Sequence, residues 1–426
     1  MIRAALTAEE AREGLAALEP KLKNYARLIA RKGVNIKQGQ EVVVRSPVDC
    51  AAFARLVVEE SYAAGAGHVT MMWSDDAVSR LTYQHVEKSY FENTPEWKRI
   101  QLDSLAKDGA CFIFIEGADP EALKGIDPAK PAAASKAQNT QCAVYRHGLD
   151  YNLNPWCIAG AAVLPWAKHV FPAAEDDVAM YKLWCAILQV ARADGDDPES
   201  AWELHDAAFE KNLRFLNDRH FDRLHYVSQN GTDLTVGMTA GHLWGGGRGE
   251  TPDGHPFFPN IPTEEVFTSP DRTRVDGVVH SAMPLIHHGN KVDNFWLKFE
   301  GGKVVDYDAQ VGKATLESIL ETDEGARHLG EVALISKNTP IRESGILFYD
   351  TLYDENASCH LALGVGFAEC LEGGYDMTPE ELVEAGVNVS STHVDFMIGT
   401  DDIDITGITP DGEEVVIFQN GQWSWE

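Results

Sequence analysis

The sequence predicts an α/β protein of two domains: an N-terminal α/β domain with a mainly parallel sheet, then a C-terminal mixed α/β domain. Three observations predict it. The chain has 426 residues, more than a single core usually organises. Its first part alternates helix-period and strand-period segments, the grammar of βαβ units. Near His220 the texture changes to short β-prone runs divided by Gly and Asn turns. The boundary is expected around residues 220–228, giving domains 1–224 and 225–426.

The elements follow in order. "EEAREGLAALEPKLKNYARLIARKG" reads as helix, "QEVVVRS" as strand, "DCAAFARLVVEESYAAGA" as helix and "HVTMMW" as strand. "ACFIFIEG" and "WCIAGAAVLP" are nearly continuous apolar runs, which suits strands buried on both faces. Two acidic helices are predicted next, in "EDDVAMYKLWCAILQV" and "DPESAWELHDAAFEKNLRFLND". In the second half, "DRLHYVSQNGTDLTVGM" carries an Asn-Gly turn between β-prone runs, and "RVDGVVHSAMPLIHHGNKVDNFWLKFEGGKVVDYDA" continues the pattern. The Gly/Pro-rich loop 243–260 lacks the G-K-[ST] and following helix of a phosphate loop.

Composition narrows the function. With 44% hydrophobic and 24% charged residues the chain is not broadly disordered. A net charge of −30 repels nucleic acid and anionic membranes. No apolar run reaches the ~18–20 residues of a membrane span. "MIRAALTAEEAREGLAALEP" reads as a charged helix, not a secretory signal. The seven cysteines are scattered and lack any C-x-x-C, so reduced buried thiols in a cytoplasmic protein are expected.

Four places in the second half set carboxylates or imidazoles in weakly charged, regularly patterned surroundings. In "NIPTEEVF", extended backbone sends Glu264 and Glu265 to opposite faces, so one can enter a site while the other faces away. In "HLGEVALIS", Glu331 opens an apolar, strand-like run. In "DENASCH", Asn356 or Ser358 is expected to cap a helix carrying His360. Residues five apart on a helix lie about 140° around the axis, so Glu355 joins His360 only from the loop ahead. In "SSTHVDFMIG", extended backbone puts His393 and Asp395 on one face, Val394 and Phe396 on the other. Singly, each has a structural explanation: a solvated strand end, a hydrogen-bonded core histidine, a His–Asp pair. His280 reads as a core histidine, His287 and His288 as turn-flanking surface, and Cys359 as packing.

Gathered together, Glu265, Glu331, Glu355 and Asp395 would repel strongly unless protonated or paired. Two divalent cations would neutralise them, with His360 and His393 as neutral donors. Carboxylates and imidazoles without thiolates suit zinc, cobalt or manganese in an open site. Two such ions can activate a bridging hydroxide and polarise a carbonyl, which is hydrolase chemistry.

Longer motifs carry a resemblance. "PNIPTEEVFTSPDRTRVDGVV", "LGEVAL", "LFYDTLYDENASCHLALG", "EGG" and "VNVSSTHVDFMIG" are similar, in order and spacing, to the metallo-aminopeptidase family of aminopeptidase T, aminopeptidase S and PepS. The first half resembles it more loosely, through its helix–strand order and "PWAKHVFP". The resemblance implies a dinuclear centre in the C-terminal domain, with Glu265, Glu331, Glu355, His360, His393 and Asp395 as ligands and Glu331 as the bridge. It also implies removal of single N-terminal residues from short peptides, often hydrophobic ones, by a homodimer whose sites face an enclosed cavity.

One position departs from the family pattern, which usually has tyrosine seven residues after the histidine of "DENASCH"; here Phe367 stands there. Losing an oxyanion donor costs about 10²- to 10³-fold in rate. Tyr353 and Arg274 are candidate substitutes, although Tyr353 equally suits a packed aromatic, and Arg272 and Arg274 suit structural salt bridges. Glu264, beside Glu265, is the candidate proton shuttle. Two alternatives stand beside hydrolysis. One is a metal-stabilised peptide binder with impaired turnover; the other is a ring-opening oxygenase with one iron, as in distant relatives of this fold.

Overall fold

Residues 6–287 and 290–426 are described by a computed structural model. The first five residues and His288 lie outside the described residues. The chain divides into two compact units, and the division is not a single cut. One unit comprises residues 1–206, 248–262 and 347–352; the other comprises 207–247, 263–346 and 353–426. The single boundary expected between 224 and 225 thus differs in position and number from these crossings.

The first unit is built on a five-stranded sheet. Its long strands are β1 (Glu41–Pro47), β2 (His68–Ser74), β3 (Cys111–Glu116) and β4 (Trp156–Gly160), with a short strand Asn260–Ile261 beside β4. Every pairing is parallel, as expected, and the order is Asn260–Ile261, β4, β3, β1, β2. A parallel pair needs a crossover, and helix Ala51–Ala64 supplies the one between β1 and β2. Val42–Val44 and Cys111–Ile113 are fully buried, which is why their sequence lacks alternation. The helix predicted over residues 9–33 is broken in two, Ala8–Ala17 and Glu19–Leu28, because Pro20 has no N–H to continue the first and sits in the opening turn of the second. Tyr25 stacks on Phe53 at 5.2 Å between ring centres, and its hydroxyl donates to the Gly160 carbonyl at the end of β4.

The second unit holds two antiparallel sheets. The larger contains β5 (Arg223–Val227), β6 (Asp233–Met238), β8 (Pro270–His280), β9 (Leu285–His287), β10 (Asn290–Glu300), β11 (Lys303–Val311), β15 (Asp404–Ile408) and β16 (Glu414–Gln419), with Gln422–Trp423 at the edge. The Asn-Gly hairpin read from sequence joins β5 to β6, Val227 facing Asp233. The smaller sheet contains β7 (Val266–Thr268), β12 (Leu329–Leu334), β13 (His360–Gly364) and β14 (His393–Met397), in the order β14, β13, β12, β7, with Gly245–Gly246 beyond β7. One core serves both sheets: Leu224, Tyr226 and Phe295 join Val266, Val332, Leu361, Val394 and Phe396. Each fully buried aromatic or aliphatic side chain stabilises by about 1.5–3 kcal/mol relative to exposure. His280 is only partly buried, at the end of β8. Among the described residues no helix is long and apolar enough to cross a membrane, and all seven cysteines are free thiols.

Candidate metal centre

The smaller sheet of the second unit sorts its residues by parity. Val332, Leu361, Leu363, Val394 and Phe396 take the core face. Alternation then sends Glu331, Ala333, His360, Ala362, His393 and Asp395 to the other face. Cross-strand register aligns that second set. Glu331 is opposite Ala362, which is opposite Asp395; Ala333 is opposite His360, and Gly364 is opposite His393. The row is therefore carboxylate, methyl, carboxylate, and the small side chain leaves room between two charged ones. Gly364 cannot be larger: its φ is +111°, and an added Cβ would lie 2.0 Å from the Thr392 carbonyl.

His360 opens strand β13; it does not ride on a helix as the sequence reading expected. Leu361, Ala362 and Leu363 favour helix locally, but pairing with β12 and β14 overrides that preference. Asn356 likewise caps no helix. It lies in a 3₁₀ turn, Glu355–Ala357, with Glu355 opening that turn, so Glu355 does precede the His360 element as required. Cys359 points into the core, where its thiol donates to the Ile335 carbonyl, in keeping with a packing role.

Both imidazoles are oriented by main chain. The Nδ1 of His360 faces the Glu355 carbonyl at 3.0 Å and the Ser358 carbonyl at 3.3 Å. The Nδ1 of His393 faces the Val365 carbonyl at 2.8 Å. A proton on Nδ1 satisfies each carbonyl and leaves Nε2 as the donor atom toward a ligand. His360 Nε2 lies 3.4 Å from Glu265, and His393 Nε2 lies 3.1 Å from both Glu331 and Asp395. Two clusters result, Glu265–Glu331–His360 and Glu331–His393–Asp395, each with its donor atoms within 4.8 Å of one another. Glu331 belongs to both.

The electrostatics are those of crowded, buried carboxylates. Burial, then Glu331 and Asp395, push the Glu265 carboxyl up to about 8, against the opposing pull of His360 and His393. Burial, then Glu265, Asp395 and Glu331, push Glu355 well above the usual carboxylate range. Glu355 thus feels the charge of the same carboxylates, although it belongs to neither cluster of three. Burial lowers His393, but Asp395 and Glu331 outweigh it and raise the imidazole well above its ordinary value. Burial raises Asp395, and its contact with His393 outweighs that and holds it low. Still, the buried Oδ1 of Asp395 has no aligned hydrogen-bond partner, since one Nε2–H cannot serve two carboxylates. Among the described residues, the ion-pair partners of Glu265, Glu331 and Asp395 are imidazoles, never Lys or Arg. This donor set fits divalent cations, which would take the place of the protons favoured on Glu265 and Glu355.

The other candidates fall differently. Glu264 is partly buried beside Glu265, its N–H bonded to Asn356. Tyr353 is fully buried, which suits the packed-aromatic role. Arg274 is not brought to the cluster: it pairs with Asp222 at 2.7 Å and donates to the Met238 carbonyl, the structural salt bridge that was its other reading. Phe367 is partly exposed, 5.1 Å from the His393 ring and 5.4 Å from Phe267, between ring centres. Its N–H is held by Ser269 Oγ at 2.7 Å. Sequence reading missed Ser269 and the supporting role of Asn356, because a buried Ser or Asn in a polar stretch looks like any turn residue.

Asp323 supports the β14 side. Its carboxylate accepts from Ser390 Oγ, Ser391 N–H, Ser391 Oγ and Ala326 N–H, at 2.6–2.9 Å. Burial pushes this carboxyl up, but those bonds outweigh it and hold it at about 2, below the ordinary 3.8. A depressed folded value means stabilisation that is present above the ordinary value and lost as pH falls toward 2. Asp323→Asn is expected to cost about 1–3 kcal/mol near neutrality. The gap in melting temperature between wild type and variant should shrink as pH falls below 4. A gap independent of pH from 6 to 3 would refute the charged role.

Comparison with known proteins gives concordant findings. Residues 18–423 match the family described as thermophilic metalloprotease (M29). The chain is 45% identical to aminopeptidase AmpS of Bacillus subtilis (strain 168), over 95% of this chain and 98% of that protein. It is 40% identical to aminopeptidase T of Thermus aquaticus, over 94% and 98% respectively. The solved structure of wild-type AmpT from Thermus thermophilus superposes with a TM-score of 0.89 at 37% identity, covering 96% of this chain and all of that one.

Proposed function

This chain belongs to the thermophilic metalloprotease (M29) family and is a metallo-aminopeptidase, and from that premise we propose that it frees the N-terminal residue of short peptides at a dinuclear centre held by Glu265, Glu331, Glu355, His360, His393 and Asp395. The observation that carries this reading is the sharing of Glu331 between two clusters that each bring one imidazole Nε2. A carboxylate with two oxygens can serve two ions at once, which suits Glu331 as the bridge. Divalent ions held there supply an activated water and a polarised scissile carbonyl.

The chain's own residues do the rest. With their Nδ1 protons held by main-chain carbonyls, His360 and His393 turn Nε2 toward the centre, where a bound ion would take the place of the Nε2 proton. Carboxylates of the cluster attract the free α-amine of the substrate, which selects the N-terminal residue. Glu264, anchored beside Glu265, carries a proton between the attacking water and the leaving amine. The partly exposed rings of Phe267 and Phe367 give the centre an apolar wall next to His393, in keeping with hydrophobic N-terminal residues.

Nitrogen and oxygen donors suit zinc as the resident ion, with cobalt or manganese as working substitutes. Seven free thiols accord with a cytoplasmic location, and we extend to this chain the homodimer expected from the resemblance. The hydrolase class of the family stands in place of the ring-opening oxygenase. The test is direct. Metal-loaded protein should cleave Leu-p-nitroanilide and leave its N-acetylated analogue intact, with two equivalents of metal per chain. Comparable cleavage of the blocked compound would remove the exopeptidase claim, and a single tightly held ion would remove the dinuclear one.

A further inference from the structure

We propose that Asn356 is a positioning residue that locks the segment bearing Glu265 to the turn bearing Glu355, so that both carboxylates address one centre; this rests on the ligand assignment above. Asn356 is fully buried. Its Oδ1 accepts the main-chain N–H of Glu264 at 2.7 Å, and that N–H is the one immediately before Glu265. Its Nδ2 reaches the Glu355 carboxylate at 3.5 Å, a long contact. The turn that carries Asn356 also supplies the Glu355 carbonyl that orients His360. One short turn therefore sets three of the six side chains: Glu355 directly, His360 through a carbonyl, and Glu265 through the Asn356 amide.

The amide is suited to this by its chemistry. A carboxamide accepts at one end and donates at the other. Aspartate at the same length would accept the Glu264 N–H but would face Glu355 with a second negative charge. Leucine has the same branched skeleton with two bulkier methyl groups and neither function, and serine is smaller and keeps only a short hydroxyl. Burial of an amide is costly unless it is hydrogen-bonded, so position 356 holds asparagine for its bonds and not for its bulk. Without them the loop at residues 262–265 loses its tie to the turn, and the Glu265 carboxylate loses its fixed approach to His360.

The experiment compares full-length wild type, Asn356→Leu and Asn356→Ser. Each is stripped of metal and then titrated calorimetrically with zinc alone, and its metal-free melting temperature is recorded. Wild type should take up two ions. In both variants the weaker of the two binding steps should lose about 10- to 100-fold in affinity, the range for partners that orient metal ligands. Supplying excess zinc should then recover part of the turnover in the variants, the remainder being lost with the anchor of Glu264. A purely structural asparagine would lower the metal-free melting temperature and leave zinc affinity within about threefold of wild type, and that result overturns the proposal. The smaller serine gives the same readout if the leucine variant does not fold. Failure of wild type itself to bind two ions would sink the ligand assignment instead, so the two failures are distinguishable.

Discussion

Glu331→Gln is expected to empty both halves of the centre at once. The side chain is nearly fully buried and belongs to both ligand clusters. The amide keeps its size and removes its charge. Loss of both ions should cut kcat/KM on the order of 10³-fold or more, since the ions supply the activated water and the polarised carbonyl. Glu265→Gln and Asp395→Asn each touch one cluster only, so each should retain one tightly bound ion. Stability gives an independent sign. In the metal-free protein the variant removes one of several crowded carboxylates, so its melting temperature should equal or exceed that of wild type. With zinc present the order should reverse, because wild type gains binding energy that the variant lacks. A variant that keeps two ions and near-normal turnover would end Glu331's role as the bridge.

Phe367→Tyr should raise kcat by about 10²- to 10³-fold at unchanged metal content, the scale of one oxyanion donor. The position is prepared for it. The ring already stands against His393, and the loop is pinned by the bond from Phe367 N–H to Ser269 Oγ. Partial exposure means that an added hydroxyl need not be buried without a partner. The effect should fall on kcat with little change in KM, because the hydroxyl meets charge that develops only during the reaction. An unchanged or lower kcat with both ions in place would mean that another donor already serves, and the idea of a lineage running with an impaired site would fail.

Much of this was legible in the sequence because the relevant physics is short-range. A parallel strand is legible in the apolar run that holds Cys111–Ile113, whose two-sided burial removes alternation. His393 and Asp395 could be placed on one face because extended backbone has a period of two. His360 was misread as helical because Asn356, Ser358 and a Leu-Ala-Leu run look like a capped helix, and only the neighbouring strands decide otherwise. The excursions of residues 248–262 and 347–352 into the first unit left no local trace, since composition does not say which core a short segment joins. The carbonyls that orient the imidazoles are invisible for a simpler reason: every residue has one, and only the fold selects which faces inward.

The sheet that carries the centre uses a single alternation for two purposes. Val394 and Phe396 go inward to apolar packing, while His393 and Asp395 go to the opposite side. Deleting or inserting one residue between Thr392 and Met397 would exchange the two sets, burying imidazole and carboxylate in hydrocarbon and turning phenylalanine toward the reacting groups. A chain able to tolerate that shift would have neither a stable interior nor a working centre. Length variation in this stretch is thus filtered twice by one geometric fact, and drift here is confined to substitutions that leave the residue count untouched.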